Sequence, residues 1–198
     1  MAKSLKRTYR IGKFIAYRET WWNGKDMVWT FLGSFLGIGL IAFFQERYLA
    51  PSDQVFLIGS FGATSVLIYG VIQSPLAQPR NLVGGHLISA LIGVSIAQWF
   101  PDILWITAPL AVSTSIIAMQ VTKTLHPPGG ATALIAVAGS EKIKALGYFY
   151  VVFPVLTGVL TLLLIALIVN NLTSERQYPA SGRIVRVVYR VRRKKRSP

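Results

Sequence analysis

Thr124-Leu125-His126-Pro127-Pro128-Gly129-Gly130-Ala131-Thr132-Ala133-Leu134 lies between two strongly apolar stretches, and no uninterrupted helix can run through it. Each proline removes a backbone donor and drives the residue before it out of the helical region. Beyond the glycines, Ala131 to Ala138 reads as a short apolar helix. A histidine, a break and a helix start at membrane depth need a special setting. Irregular backbone survives there only when buried in protein or lining a watery cavity.

The apolar surroundings of this stretch set the class of the protein. Of 198 residues 53% are hydrophobic, in long runs. The segments 27–49, 54–73, 82–100, 104–122 and 147–169 each approach the roughly 20 residues that cross a bilayer. The chain reads as a polytopic, all-α membrane protein. Its first 26 residues are basic and aromatic, without the apolar core of a cleavable signal peptide. Absence of cysteine excludes disulfides, thiolate catalysis and cysteine-ligated metals.

The net charge of +14 is concentrated at the ends: seven Lys or Arg lie in residues 1–26 and nine in 172–198, leaving five between. Beside membrane spans such ends belong on the cytoplasmic side. Both termini inside requires an even number of crossings, and five spans are not enough. The sixth is 121–140: an extended Val121 to His126, then a helix from Gly129 to Gly139. That helix covers roughly 16 Å, about half the hydrocarbon core, so the extended part must supply the rest. With six crossings Arg80 and Lys123 fall inside with the basic ends, while Arg47, Lys142 and Lys144 fall outside.

A second broken crossing echoes the first. Gly62-Ala63-Thr64-Ser65-Val66-Leu67-Ile68 and Gly130-Ala131-Thr132-Ala133-Leu134-Ile135-Ala136 each lie in the middle crossing of a set of three. The expected architecture is therefore six membrane segments as two inverted three-helix repeats, 27–100 and 104–171, with broken middle helices. Residues 1–26 form a basic interfacial segment, amphipathic over 9–22, and 172–198 a basic cytoplasmic tail with a second such helix over 183–193. In that plan two helix N-termini meet near the midplane, a recurrent transporter arrangement. Each offers free N–H groups and about half a positive charge, which suits a small anion. Ser60, Thr64, Thr132 and the amides of Gly62, Ala63, Gly130 and Ala131 are the expected lining.

His126-Pro127-Pro128-Gly129-Gly130-Ala131-Thr132-Ala133-Leu134 resembles the signature of the HPP family of integral membrane proteins. Ser74-Pro75-Leu76-Ala77-Gln78-Pro79-Arg80-Asn81 with Gly84-Gly85-His86 is similar to that family's second motif. The likeness covers about residues 27–170 and omits the basic ends. It implies a membrane transporter, with nitrite as cargo by analogy to members in cyanobacteria and chloroplasts. The expected location is a bacterial, cyanobacterial-type plasma membrane with both termini cytoplasmic.

The expected anion site thus comprises His126, Gly129, Gly130, Ala131, Thr132, Ser60, Gly62, Ala63 and Thr64. His126 is placed to donate to the anion or carry a proton, against the plainer role of capping backbone freed by the prolines. Lys123, Arg80, Asn81 and His86 are expected along the pathway, although His86 reads more readily as a packing histidine than as a ligand, Lys123 equally as positive-inside charge, and Arg80 also as a cap or headgroup contact. Two histidines without a neighbouring carboxylate do not suggest a metal site, and no cofactor is expected. Nothing resembles a nucleophile–base–orienter set, so an enzyme is not expected. Expected partners are anionic lipid headgroups at both basic ends and, from the small-residue faces, a homodimer, although Gly33, Gly37 and Gly39 read first as a face for packing within the chain. Nucleic acid ranks below these, with a scaffold acting through the basic tail as the alternative reading.

Overall fold

The computed structural model describes residues 23–49 and 58–181. The interfacial helices read over 9–22 and 183–193, and the loop at 51–53, lie outside the described residues. Helix α1 (Gly24–Tyr48) starts at Asn23, whose side chain accepts from the amides of Lys25 and Asp26. Asp26 in the first turn and Arg47 in the last complement the helix dipole. Helix α2 (Gly59–Ser65) continues into a π turn, Val66–Gly70. A 3-10 turn at Pro75–Ala77 leads to α3 (Pro79–Trp99), with a proline in the first helical position, where its missing donor costs nothing. Then follow α4 (Leu104–Val121), α5 (Pro127–Ala138), a short α6 (Glu141–Ala145), a π segment Val151–Leu156 and α7 (Thr157–Val169).

The described residues contain helices and no strand. Four helices are long and apolar enough to cross a bilayer: Gly24–Tyr48, Pro79–Trp99, Leu104–Val121 and Val151–Val169. Two expected crossings are shorter. Of the second, read over 54–73, the described part is helical from Gly59 to Gly70. The break after Lys123 is placed as expected, but α5 begins at Pro127, two residues early, because prolines tolerate the first turn of a helix. The last span starts at Val151 rather than 147 and is kinked at Phe153, where φ −133° and ψ 121° are extended.

Side-chain contacts fix the direction of each helix. Arg80 meets the Thr122 carbonyl and Asn81 the Leu125 carbonyl, so α4 runs back along α3. The next segment climbs α3 again: a Cβ on Gly85 would lie 2.5 Å from His126 Cβ, and one on Gly93 2.7 Å from the Ala133 carbonyl. At the far end Lys144 pairs with Asp102 at 3.0 Å. Residues 122–144 therefore follow α3 from one end to the other. Helix α7 returns: Asn170 donates to the Ile68 carbonyl and Tyr178 to the Ala77 carbonyl, both at the starting end.

The outside of the bundle is apolar, with Phe31, Phe35, Trp99, Trp105, Ile117 and Leu164 exposed, as a lipid-facing surface requires. Small residues face inward. Gly33 and Gly37 receive the ring of Tyr69, whose hydroxyl donates to the Leu162 carbonyl. The glycine face that suggested a homodimer is thus used within the chain, and only Gly39 of that set remains open. Residues 172–181, read as the start of a free tail, pack under the bundle. Tyr178 is fully buried and Arg176 nearly so, the latter paired with Asp26 at 3.2 Å and donating to the Tyr69 carbonyl. Burial lowers the pKa of Arg176, and Asp26 opposes that shift.

Candidate functional site

The extended segment 122–126 is held against the start of α3 because Gly84 and Gly85 carry no side chains there. A Cβ on Gly84 would come within 2.5 Å of Thr124 Cγ2, and one on Gly85 within 2.8 Å of the Thr124 carbonyl. Arg80 and Asn81 clamp the same segment through the Thr122 and Leu125 carbonyls, at 2.9 and 2.8 Å. This fixes His126 at the N-terminus of α5, opposite Leu76 of the 3-10 turn. His126 Nδ1 donates to the Leu76 carbonyl at 2.8 Å, which leaves Nε2 facing inward.

Both expected broken helices converge here on one side chain, His86. Its Nε2 lies 2.7 Å from Thr64 Oγ1 on α2, and its Nδ1 lies 2.7 Å from Thr132 Oγ1 on α5. Thr64 Oγ1 is also 3.2 Å from His126 Nε2, and Thr132 Oγ1 donates to the Pro128 carbonyl at 3.2 Å. The imidazole centroids of His86 and His126 are 5.0 Å apart, and Phe61 presents its edge to His86 at 6.0 Å. Tyr150 closes the far side by donating to the Thr132 carbonyl at 3.1 Å. Thr64, His86, His126, Thr132 and Ser60 are all 0% exposed. From this cluster α2 runs towards Ala77 and α5 towards Asp102, so the two helices start together and leave in opposite directions.

The expected lining divides in two. Ser60, Thr64, Thr132, His126 and His86 come together. Gly62 and Ala63 are exposed on the outer face of α2, and nothing lies within 4 Å of a Cβ placed on Gly62. The reason is a helix start at Gly59, which puts positions 62 and 63 a full turn inside, their amides already in the ladder. Gly129 is a packing glycine: a Cβ there would lie 2.8 Å from Ser89 Oγ and 2.9 Å from the Gly85 carbonyl. Its amide donates to the His126 carbonyl at 2.8 Å. Gly130 and Ala131 are half-buried within the same helix. Because α5 starts at Pro127, the expected free amides of Gly130 and Ala131 fall inside its ladder, and with prolines in its first two positions the start of α5 offers its dipole with few donors.

Ser60 was expected here and brings something new. Its hydroxyl is buried and has no partner, one turn before Thr64 on the same face of α2. Arg80 and Asn81 position the 122–125 segment rather than line a path. Lys123 is exposed and left-handed, with φ 56°, at the corner where α4 ends. Leu76 and Tyr150, which hold His126 and Thr132, carried no signal in the sequence because a backbone carbonyl and a distant phenol leave none. Among the described residues no three His, Cys, Asp or Glu side chains converge. At the other end of α3 a cavity of about 100 Å³ is lined by Val94, Gln98, Asp102, Ala136, Lys144 and Gly147. The hydrogen bond that Lys144 donates to the Asp102 carboxylate raises its pKa and keeps that cation in place.

The chain matches the HPP transmembrane-region family over residues 20–179. Two transmembrane proteins of Dictyostelium discoideum are similar to it. One is 43% identical over 178 residues, covering 84% of this chain and 57% of the relative. The other is 46% identical over 158 residues, covering 78% and 55%. The chain thus spans little more than half the length of these relatives. No solved structure matches it. The match runs through the 74–86 and 126–134 motifs and on to Pro179, one residue past the buried Tyr178, and the chain belongs to the HPP family of transmembrane proteins.

Proposed function

We propose that the protein transports a small monovalent anion, nitrite by the family resemblance, through a site beside His86 where α2 and α5 begin. The observation that carries this is the buried Thr64–His86–Thr132 bridge. It joins the two Gly-Ala-Thr segments, one from each half of the chain, inside a protein whose described carboxylates all lie at helix ends or beyond them. Ionisable side chains buried among membrane helices are functional candidates by default, and two histidines meet here. Both helix dipoles direct positive charge at the cluster, which opposes a cation there. Ser60 supplies an unused hydroxyl donor.

In this reading the chain is two inverted three-helix repeats: α1, α2 and α3, then α4, α5 and the Val151–Val169 span. The pairing is supported by α5 and the run Gly59–Gly70, which are equally long at 12 residues. It is supported too by α1 packing on α2 and α7 as α4 packs on α5 and α3. The cavity beside the Lys144–Asp102 pair then lies on the outer side as a vestibule.

Purified protein in liposomes should raise nitrite influx over empty vesicles. Thr132→Val and His126→Ala should each lower that influx at least tenfold while the protein keeps its elution profile. Full influx in both variants would remove the anion from this site. Removing residues 183–198 tests the tail-dependent alternative, and flux should persist without them. The cut must not reach Arg176 or Tyr178, which belong to the bundle.

A further inference from the structure

The buried cluster is one proton short. Its polar atoms form a single line of five contacts: Leu76 carbonyl to His126 Nδ1, His126 Nε2 to Thr64 Oγ1, Thr64 Oγ1 to His86 Nε2, His86 Nδ1 to Thr132 Oγ1, and Thr132 Oγ1 to the Pro128 carbonyl. Each contact needs one proton between its two atoms. Two neutral imidazoles and two hydroxyls bring one proton each, which makes four.

The two carbonyls at the ends can only accept, so the shortage cannot be passed outward. If Thr132 donates to Pro128, then His86 donates from Nδ1, Thr64 donates to His86 Nε2, and His126 Nε2 faces a Thr64 lone pair. If every proton steps one place, the empty contact moves to the Thr132–Pro128 end. Those two contacts are the long ones, 3.2 Å each, whereas the other three are 2.7–2.8 Å. The lengths follow the proton count.

We propose that this line takes up one proton with each anion bound beside Ser60, making the protein an anion–proton symporter. This rests on the anion reading of the site. The added proton comes from water on whichever side the site is open, and it fills the empty contact without any side chain turning. All five contacts are then satisfied at a net charge of +1. An uncompensated charge buried in a bilayer is strongly disfavoured, and the anion removes that cost by being its partner. Anion and proton therefore bind cooperatively, and the loaded site is neutral.

Among the described residues no other group offers itself as the counter-charge or the acceptor. On the elements packed around the two histidines, the titratable side chains besides them are Tyr69, Tyr150 and Tyr178, and the charged one is Arg80. The tyrosines are fully buried and donate to the carbonyls of Leu162, Thr132 and Ala77. Arg80 donates to Thr122 at the end of α3. Helices α2, α4 and α7 carry no titratable group. The described carboxylates Asp26, Glu46, Asp102, Glu141 and Glu175 lie at the ends of helices or beyond them.

The test is calorimetry of sodium nitrite binding to the purified full chain in detergent, in two buffers of different ionisation enthalpy at one pH. Wild type should take up about one proton per anion, and its affinity should fall about tenfold per pH unit in the alkaline range. Thr64→Val leaves three contacts and three protons, a closed neutral count, so it should bind nitrite at least about tenfold more weakly and with no proton uptake. Thr132→Val closes the count in the same way and serves if the first variant does not fold. Wild-type binding without proton uptake overturns the symport proposal and leaves the anion site standing. Uptake of one proton in a folded closed-count variant overturns the assignment to this line. Absence of any nitrite binding to folded wild type overturns the anion reading and the proposal with it.

Discussion

At the scale of single residues, the glycines separate what the sequence offered as equals. Gly62 and Gly85 both sit in motifs beside the cluster, but their surroundings differ. A Cβ on Gly62 meets nothing within 4 Å, whereas on Gly85 it meets His126 Cβ at 2.5 Å and the Thr124 carbonyl at 2.8 Å. Gly62→Ala should therefore leave transport unchanged and stabilise the helix by up to about 1 kcal/mol. Gly85→Ala should cost about 1–3 kcal/mol, because two backbone segments must part. It should also lower nitrite flux by moving His126. Thermal denaturation in detergent and liposome flux on the same preparations check both. Of the site, Thr64, Thr132 and His126 were legible from their motifs. His86 was legible as a residue of the pathway but not as the hub, because its partners stand 22 and 46 positions away in the chain. Spacing along one helix cannot show which two other helices will meet there.

At the scale of elements, what could be read was where the chain breaks, and what could not was where each helix begins. The prolines at 127 and 128 announce the break, yet prolines are also good first-turn residues, so α5 absorbs them. The same ambiguity made the amides of Gly130 and Ala131 seem free when the earlier start of α5 had already drawn them into its ladder. The end of the membrane domain was misread for a different reason. Arg176 resembles the tail cations that follow it, but it folds back beneath the π turn, donates to the Tyr69 carbonyl and pairs with Asp26. Arg176→Ala should therefore lower stability by about 1–2 kcal/mol. Thr30 still donates to the same carbonyl, and the half-exposed Asp26 can turn to water, which limits the loss. For a chain of this size that is a fall of a few degrees in the melting midpoint. Arg183→Ala, beyond the family match, should cause none.

At the scale of the whole molecule, the sequence carried the class through its long apolar runs, while its basic ends supported only an expectation of an even number of crossings. It could not decide whether the two short helices complete crossings or turn back. A chain whose short helices turned back would cross four times and would also keep both termini on one side, so terminal charge does not discriminate. Loops do. Six crossings put positions 25 and 123 on one side and positions 47, 102 and 142 on the other, whereas four would exchange positions 102 and 123. The contacts favour six. Asp26 meets Arg176 and Ala77 meets Tyr178, which brings the starts of α1 and α3 to the same end of the bundle. Four crossings would put those starts at opposite ends. Because the protein has no cysteine, single substitutions Lys25→Cys, Arg47→Cys, Asp102→Cys, Lys123→Cys and Lys142→Cys can each be read without background. An impermeant maleimide added to intact cells should label positions 47, 102 and 142 and spare 25 and 123, in keeping with the positive-inside rule. Labelling at 123 with protection at 102 would mean that α2 and α5 re-enter instead of crossing. The inverted-repeat account would then fall, although the distances around His86 would stand.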